Sequence, residues 1–596
     1  MSSSSLDRSW LSRFSRYLPI LDWGLNYKSA DLAGDITAGI IVASVLVPQS
    51  IAYAQLAGLP PQAGLYASIL PLLIYPLFGT SRFLAVGPEA VGSLLVAAGL
   101  TSLSTPDDPN YLALAAVLAL GVGIVEIVLG LLRLGFITNF LSHAVTAGFI
   151  NAAALVIGFS QVKHILGIQV ASGEHFFPLL AELVRGVPQL NPVALALGLG
   201  SGVIILGFQK ILAPWLQRRG LSPAAVVPIA KSAPLVAIAI GTLLTWSLRL
   251  DQTAGIKVVG EIPAGLPTLQ MPNLSLVSLQ EVLPVVLTIA FVGFTEAFAV
   301  AQALGSRRRQ SVDANQELIA LGAANLGAAF TGAYPVTGGV SRSAVNFTAG
   351  ANTCLALMIT GTLMALTVLF LTPLFYFLPQ ACLAAMIIVA VSNFLDWPGF
   401  AKLWRYNKAD AIAFLVTFIT VLSVEVVAGI LAGVAASILL YLWRTSRPHM
   451  AIVGRIAGTE HFRNVQRHPV LTCPHVLTVR VDESLYFASM RALEDYLLSA
   501  VAQNPEVEHL VLTCSGINFI DGSALETLER LIDQLKSMGV QLHLAEVKGP
   551  VMDGLEKIGF VKHLGQDHVF LSTHGAMEAL GCGDRDDVTA LLSNPE

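Results

Sequence analysis

The chain has 596 residues, of which 54% are hydrophobic and only 12% charged, with a formal net charge of -5 and a mean hydropathy of +0.70. Water-soluble domains carry about 25% charged residues, so a soluble fold is excluded, and with no basic stripe a nucleic-acid partner is excluded too. Apolar residues run together at 40–47, 113–132, 193–207 and 411–424, many runs reaching the ~20 residues that a spanning helix needs, so the chain reads as a polytopic membrane protein.

In chain order, residues 1–30 carry Arg8, Arg13 and Arg16 beside Trp10, Phe14 and Tyr17, the pattern of an interfacial cytoplasmic segment and not of a cleaved signal. Residues 31–445 are a succession of apolar spans with short loops, enough for roughly fourteen crossings. Arginine and lysine gather at Arg8 to Lys28, Arg133, Arg218 with Arg219, Arg307 to Arg309, Lys402 to Lys408, and Arg444 with Arg447. Alternating crossings put all of them on one side, which the positive-inside rule makes the cytoplasm, so both termini are expected there. The loops at 105–108 and 250–281 then face outward.

Two segments at corresponding places in the two halves look alike, residues 79–97 (GTSRFLAVGPEAVGSLLVA) and 332–350 (GAYPVTGGVSRSAVNFTAG). Each has a stretch marked by Gly and Pro followed by a short helical run of small residues. Interrupted spans in matching positions point to a transport site at mid-membrane, because half-helix N-termini aim unpaired N–H groups and partial positive charge at an anion; the alternative is a pair of kinked structural helices.

The texture changes beyond 445. Residues 446–465 read as a linker, 466–580 as a small α/β domain and 581–596 as a C-terminal tail. Within the domain, β-like runs at 476–481, 509–513 and 540–545 alternate with amphipathic helices at 490–501 and 524–538. Cys354, Cys382, Cys473, Cys514 and Cys582 are scattered without a CxxC pair, so the expectation is reduced thiols, with no disulfide framework and no metal site. The chain has no phosphate-binding Gly-Lys-Ser loop and no hydrolase elbow. Neither an enzyme nor an ATP-driven pump is expected, and no cofactor.

From residue 31 to the C-terminal domain the sequence resembles the SulP family of anion transporters, the sulfate permeases related to solute carrier family 26. The resemblance rests on residues 47–66 (VPQSIAYAQLAGLPPQAGLY), 79–88, 142–167 with its QVKHILG element, and above all 315–351 (NQELIALGAANLGAAFTGAYPVTGGVSRSAVNFTAGA). It implies an α-helical membrane domain of two inverted seven-span repeats, arranged as a core domain moving against a gate domain, in a homodimer. It also implies a C-terminal STAS domain open to a cytoplasmic regulator.

The same resemblance implies an anion site between the N-termini of the third and tenth segments. The third contributes Pro88, Glu89 and Ala90, and the tenth Gly339, Val340 and Ser341. Gln49 and Tyr53, four apart and hence on one helix face, supply a polar and an aromatic wall. Arg342 is expected to lend positive potential, since an arginine at mid-membrane costs about 2.5–3.5 kcal/mol unless paired or hydrated; the alternative is a structural ion pair. Glu296, an acid among apolar residues, is placed to bind and release the proton of a symport, or else to pair permanently with Arg342. Glu89 reads as a helix cap or a second protonation site. Glu126 and His143 receive no role. In the STAS-like domain Asp521 and Ser523 read as a helix-capping pair, with Ser523 also a candidate for regulatory phosphorylation. Gly522, in place of a second hydroxyl residue, departs from the phosphorylated form.

The leading expectation is therefore proton-coupled uptake of a small oxyanion, sulfate first, by alternating access across a bacterial inner membrane. Sodium-coupled bicarbonate or dicarboxylate transport, an anion channel, and a membrane-anchored STAS signalling receptor are the alternatives.

Overall fold

The computed structural model describes residues 17–105, 108–136, 142–169, 176–221, 226, 229–230, 232–276, 278–424, 426–582 and the backbone of 589–591. The amphipathic stretch expected before Tyr17 and most of the 581–596 tail lie outside the described residues. The chain forms two units, 1–437 and 438–596.

The first unit opens with α1 (Ile20–Leu25) and α2 (Ser29–Leu56), then α3 (Leu70–Phe78), strand β1 (Val86–Gly87), α4 (Ala90–Leu103), α5 (Tyr111–Leu131), α6 (His143–Leu166), α7 (Pro192–Gly207) and α8 (Ala233–Leu248). A second series follows in the same order: α9 (Leu279–Arg307), α10 (Ala314–Phe330), strand β2 (Thr337–Gly338), α11 (Val340–Thr348), α12 (Leu355–Phe370), α13 (Gln380–Ser392), α14 (Lys408–Ser423) and α15 (Val426–Thr445). Among the described residues eight helices are long and apolar enough to cross a membrane, and α4, α8 and α12 are shorter apolar ones. The protein is an integral membrane protein of this helical architecture.

The helices pack in two groups. In one, α5 lies against α10 and α9, α10 against α3, and α12 against α2; in the other, α6 lies against α14 and α13, and α13 against α7. Without a hydrophobic drive between helices in lipid, such contacts depend on small residues that let backbones approach. Gly123 of α5 and Gly322 of α10 meet reciprocally, a Cβ on either falling 2.8 or 2.7 Å from the other's carbonyl oxygen. In the second group a Cβ on Gly148 of α6 would lie 2.5 Å from the Phe414 carbonyl oxygen of α14. Each group draws helices from both series.

The second unit is an α/β domain on an eight-stranded sheet. Its parallel centre is β6 (Val476–Val481), β7 (His509–Thr513), β8 (Gln541–Ala545) and β9 (Val569–Phe570), with the amphipathic helices α16 (Met490–Gln503) and α17 (Gly522–Ser537) between strands. The alternation read from the sequence predicts this βαβ order. Within the 446–465 stretch expected as a linker, β3 (Met450–Arg455) pairs antiparallel with β6, and β4 (Phe462–Asn464) pairs with β3. β3 lies inside the sheet, with β6 on one side and β4 and the strand Val470–Thr472 on the other. A second correction concerns the cysteines. Cys473 and Cys582 are joined as a disulfide, leaving Cys354, Cys382 and Cys514 free and buried.

Candidate functional site

The two broken spans meet. Pro88 and Pro335 remove backbone donors and Gly87 takes φ 148, a conformation that side chains disfavour, so the chain runs extended before α4 and α11. The extended pieces pair as a short antiparallel ladder, Val86 opposite Gly338 and Gly87 opposite Thr337, and neighbours hold it. The Gly339 N–H donates to the Ala85 carbonyl at 3.0 Å, and the Ala85 N–H to Ser343 Oγ at 2.9 Å. Thr337 Oγ1 donates to the Gly293 carbonyl of α9 at 2.7 Å. Behind β2, Asn325 accepts from the Val336 N–H at 2.7 Å and donates to Glu126 Oε2 at 2.9 Å. Glu126, left without a role by the sequence, therefore fixes the seam.

Two further carboxylates anchor the approaches. Glu317 of α10 accepts from the Thr80 N–H and Oγ1, the Ser81 N–H and the Tyr75 hydroxyl, at 2.6 to 2.9 Å. Asp35 of α2 accepts from the Asn352 and Thr353 N–H groups and from Thr353 Oγ1, at 2.6 to 3.0 Å. Each ends a loop with charge-assisted bonds, roughly twice as strong as neutral ones.

Between the seam and the other helical group lies a cavity of about 480 Å³, within the size range of small-molecule sites. One wall is Gln49 and Tyr53 of α2, Glu89, and Gly339, Val340, Ser341 and Arg342 of α11; the other is Ile205 of α7, Pro234 of α8, and Met386 and Val389 of α13. The cavity thus separates the two groups of helices.

Arg342 is 2% exposed. One nitrogen, Nη1, donates to the Pro88 carbonyl, while Nε and Nη2 have no partner. Among the described residues no carboxylate pairs with it, so neither the structural ion pair nor a bond to Glu296 is formed. A buried charge without a paired carboxylate costs several kcal/mol, so Arg342 is a costly residue to keep at this position. Gln49 Oε1 is likewise buried without a partner; exchanging the amide's O and N, which ordinary structures do not distinguish, would offer a donor there.

The two helix ends differ. Glu89 is the N-cap of α4, its Oε2 accepting from the Val91 N–H at 2.8 Å and the Gly92 N–H at 3.1 Å. The N-cap of α11 is Gly339, which has no side chain to cap with, so the first-turn N–H groups of α11 stay free for an anion. Pro88 and Ala90 lie behind the wall: the Pro88 carbonyl serves Arg342, and Ala90 is 1% exposed. Glu296 of α9 is 9% exposed, has no hydrogen bond or ion pair among the described residues and does not line the cavity, although Glu89 is near enough for the two charges to interact. His143 is the exposed first residue of α6.

In the α/β domain the capping role falls to Asp521, whose Oδ1 accepts from the Ala524 N–H at 2.7 Å and whose Oδ2 accepts from the Phe487 N–H at 2.9 Å. Ser523 does not cap; it sits exposed on the first turn of α17.

The sulfate permease family profile matches residues 32–417, and the STAS domain profile residues 469–576. A probable sulfate transporter 4.2 of Arabidopsis thaliana is 36% identical over 555 residues, spanning 91% of this chain and 80% of the relative. A probable sulfate transporter of Mycobacterium tuberculosis is 34% identical over 555 residues, spanning 93% and 96%. Among solved structures, the murine solute carrier 26 family member A9 anion transporter in its inward-facing state superposes with a TM-score of 0.86 at 26% identity, covering 96% of this chain and 95% of that one.

Proposed function

The chain belongs to the sulfate permease family and is an anion transporter, and from that premise we propose that it takes up sulfate by alternating access, coupled to protons. The observation that carries the reading is the unpaired guanidinium of Arg342 at the bare N-terminus of α11, in a cavity walled by both helical groups. A site so placed exchanges sides when one group rocks against the other. Sulfate, the cargo in the names of the plant and mycobacterial relatives, suits the full positive charge that a guanidinium in the cavity lining supplies.

The carboxyls support the proton coupling. With Glu89 ionised, Arg342 and Glu89 leave the site near electrical neutrality, and Glu296 adds repulsion from behind. Protonating Glu296 lowers that repulsion when the dianion enters, and releasing the proton on the other side favours its departure. The proposal extends to a homodimer in a bacterial inner membrane with both termini cytoplasmic, and to Ser523 as the place where a cytoplasmic regulator acts. Uptake of radiolabelled sulfate into proteoliposomes under separately imposed pH and sodium gradients tests the mechanism. Accumulation driven by the pH gradient and abolished in Glu296→Gln is expected; accumulation driven by sodium alone, or undiminished in Glu296→Gln, would overturn it.

A further inference from the structure

A second cavity of about 480 Å³ lies in the same unit, apart from the transport site and sharing no residue with it. Its lining is mostly polar and includes Lys28, Arg82 and Arg308, with Gln310 and Asn352 beside them. Asp22 and Asp31 also line it, yet among the described residues none of the three cations forms an ion pair. The lining thus carries three cations against two carboxylates, while Asp35 and Glu317 behind it are engaged by backbone N–H groups. Arg308 is kept in place by stacking, its guanidinium 5.3 Å from the centre of the Phe347 ring.

The backbone of this cavity is fixed before any ligand arrives. Arg82 stands between Ser81, whose N–H is held by Glu317, and Phe83, whose carbonyl accepts from Asn346 Nδ2 at 3.2 Å. Asn352 and Thr353 are tied to Asp35. Guanidinium groups carried beside this fixed backbone, with amide donors near them, match the fork geometry of phosphate oxygens, and the volume exceeds what a bare tetrahedral anion needs.

We propose that this cavity binds a phosphate-bearing ligand, either a soluble phosphate compound or a phospholipid headgroup. The occupant would touch both broken spans: residues 82–83 lead into β1 and the Pro88 carbonyl that holds Arg342, and residues 352–353 follow directly on α11. Binding here therefore biases the seam at the transport site.

The test uses the full chain in nanodiscs of neutral lipid with radiolabelled inorganic pyrophosphate as the probe. Saturable binding is expected to weaken tenfold or more in Arg82→Gln/Arg308→Gln and by less in Arg82→Lys/Arg308→Lys, which keeps the charge without the fork, and to survive within about threefold in Arg342→Ala, which disables the transport site. A parallel arm measures thermal stability in nanodiscs with and without phosphatidylinositol 4-phosphate. Stabilisation there of the wild type and not of the glutamine double variant, with no pyrophosphate binding, would assign the site to a lipid headgroup. If neither probe separates the wild type from the glutamine double variant, or if pyrophosphate binding disappears with Arg342→Ala, the proposal is wrong.

Discussion

Replacing Arg342 by methionine keeps the length and apolar bulk of the side chain while deleting its charge and donors. Nε and Nη2 are buried and unpartnered and Nη1 is bound to the Pro88 carbonyl, so the fold gains little from the guanidinium and carries its desolvation. Hydrogen bonds to charged groups contribute about 1.5–3 kcal/mol each, and about 1.4 kcal/mol is tenfold in affinity. Loss of a single such bond to sulfate thus predicts a rise in Kd of roughly 10- to 150-fold, with the second free nitrogen adding less than its full share because the two act together. Thermal stability should move by no more than a few degrees, since removing a buried unpaired charge offsets the bond lost at Pro88. Arg342→Lys, a point charge without the fork, should fall between. Equilibrium binding of radiolabelled sulfate, read beside the unfolding midpoint of the same preparations, checks this. A Kd within threefold of wild type in a folded Arg342→Met protein would refute it.

Gly339→Ala tests the same group by shape alone: its Cβ would lie 2.8 Å from Arg342 Nη2 on a backbone of φ -82 that alanine accepts, so sulfate affinity should drop severalfold while stability holds, as parallel binding and melting measurements will show. Glu89→Gln keeps an acceptor for the Val91 and Gly92 N–H groups and should leave stability unchanged, whereas Glu89→Ala should cost about 1 kcal/mol by loss of the cap; equal melting points for the two variants would deny the capping role. In the α/β unit, burial first, and then the charges of His568 and His509, hold the His543 imidazole down at about 4 against an ordinary 6.5. The unfolded chain takes a proton there below about pH 6.5 and the folded one does not, so stability is complete above 6.5 and declines as pH falls toward 4, by of order 1–3 kcal/mol after solvent screening. Pulse proteolysis of residues 450–582 across that range should show the decline, and His543→Phe should flatten it. Thiol titration of unfolded protein prepared without reductant should count three reactive cysteines, and five after reduction; five at the outset would contradict the Cys473–Cys582 bond.

The half of the cavity built from the broken spans was readable because its residues are unusual for a membrane: Gln49, Glu89 and Arg342 stand out against apolar neighbours, and Gly and Pro announce the breaks. The opposite wall was not. Ile205, Met386 and Val389 carry no mark in sequence, since an apolar side chain facing a cavity is written with the same residues as one facing lipid. Asp35 and Glu317 were missed for another reason. Each lies near a helix end, where a carboxylate ordinarily meets water, and their partners are 318 and 237 residues away, a separation that no local pattern encodes. The strand at Met450–Arg455 begins only five residues past the end of the last apolar helix at Thr445, so its apolar residues read as a fringe of that span, and the Cys473–Cys582 pairing joins residues 109 apart that spacing alone cannot match.

The duplicated architecture makes the departure from symmetry informative. β1 and β2 pair as equivalent pieces, and α4 and α11 begin at equivalent places, yet the two helix ends are electrostatically opposite. At α4 the positive end of the helix is met by the carboxylate of its own N-cap, Glu89, which consumes the N–H groups an anion would use. At α11 the N-cap is glycine and a guanidinium two residues into the helix adds a full positive charge. An anion in the cavity therefore leans on α11, and any movement of α11 relative to α13 changes its hold more than the same movement of α4. Because Arg342 is tethered to the α4 side through the Pro88 carbonyl, the two broken spans cannot separate without giving up that bond. In the alternating access we propose, the seam moves as one body and slides on the far wall of Ile205, Met386 and Val389, whose apolar side chains make no directional bonds that would resist it.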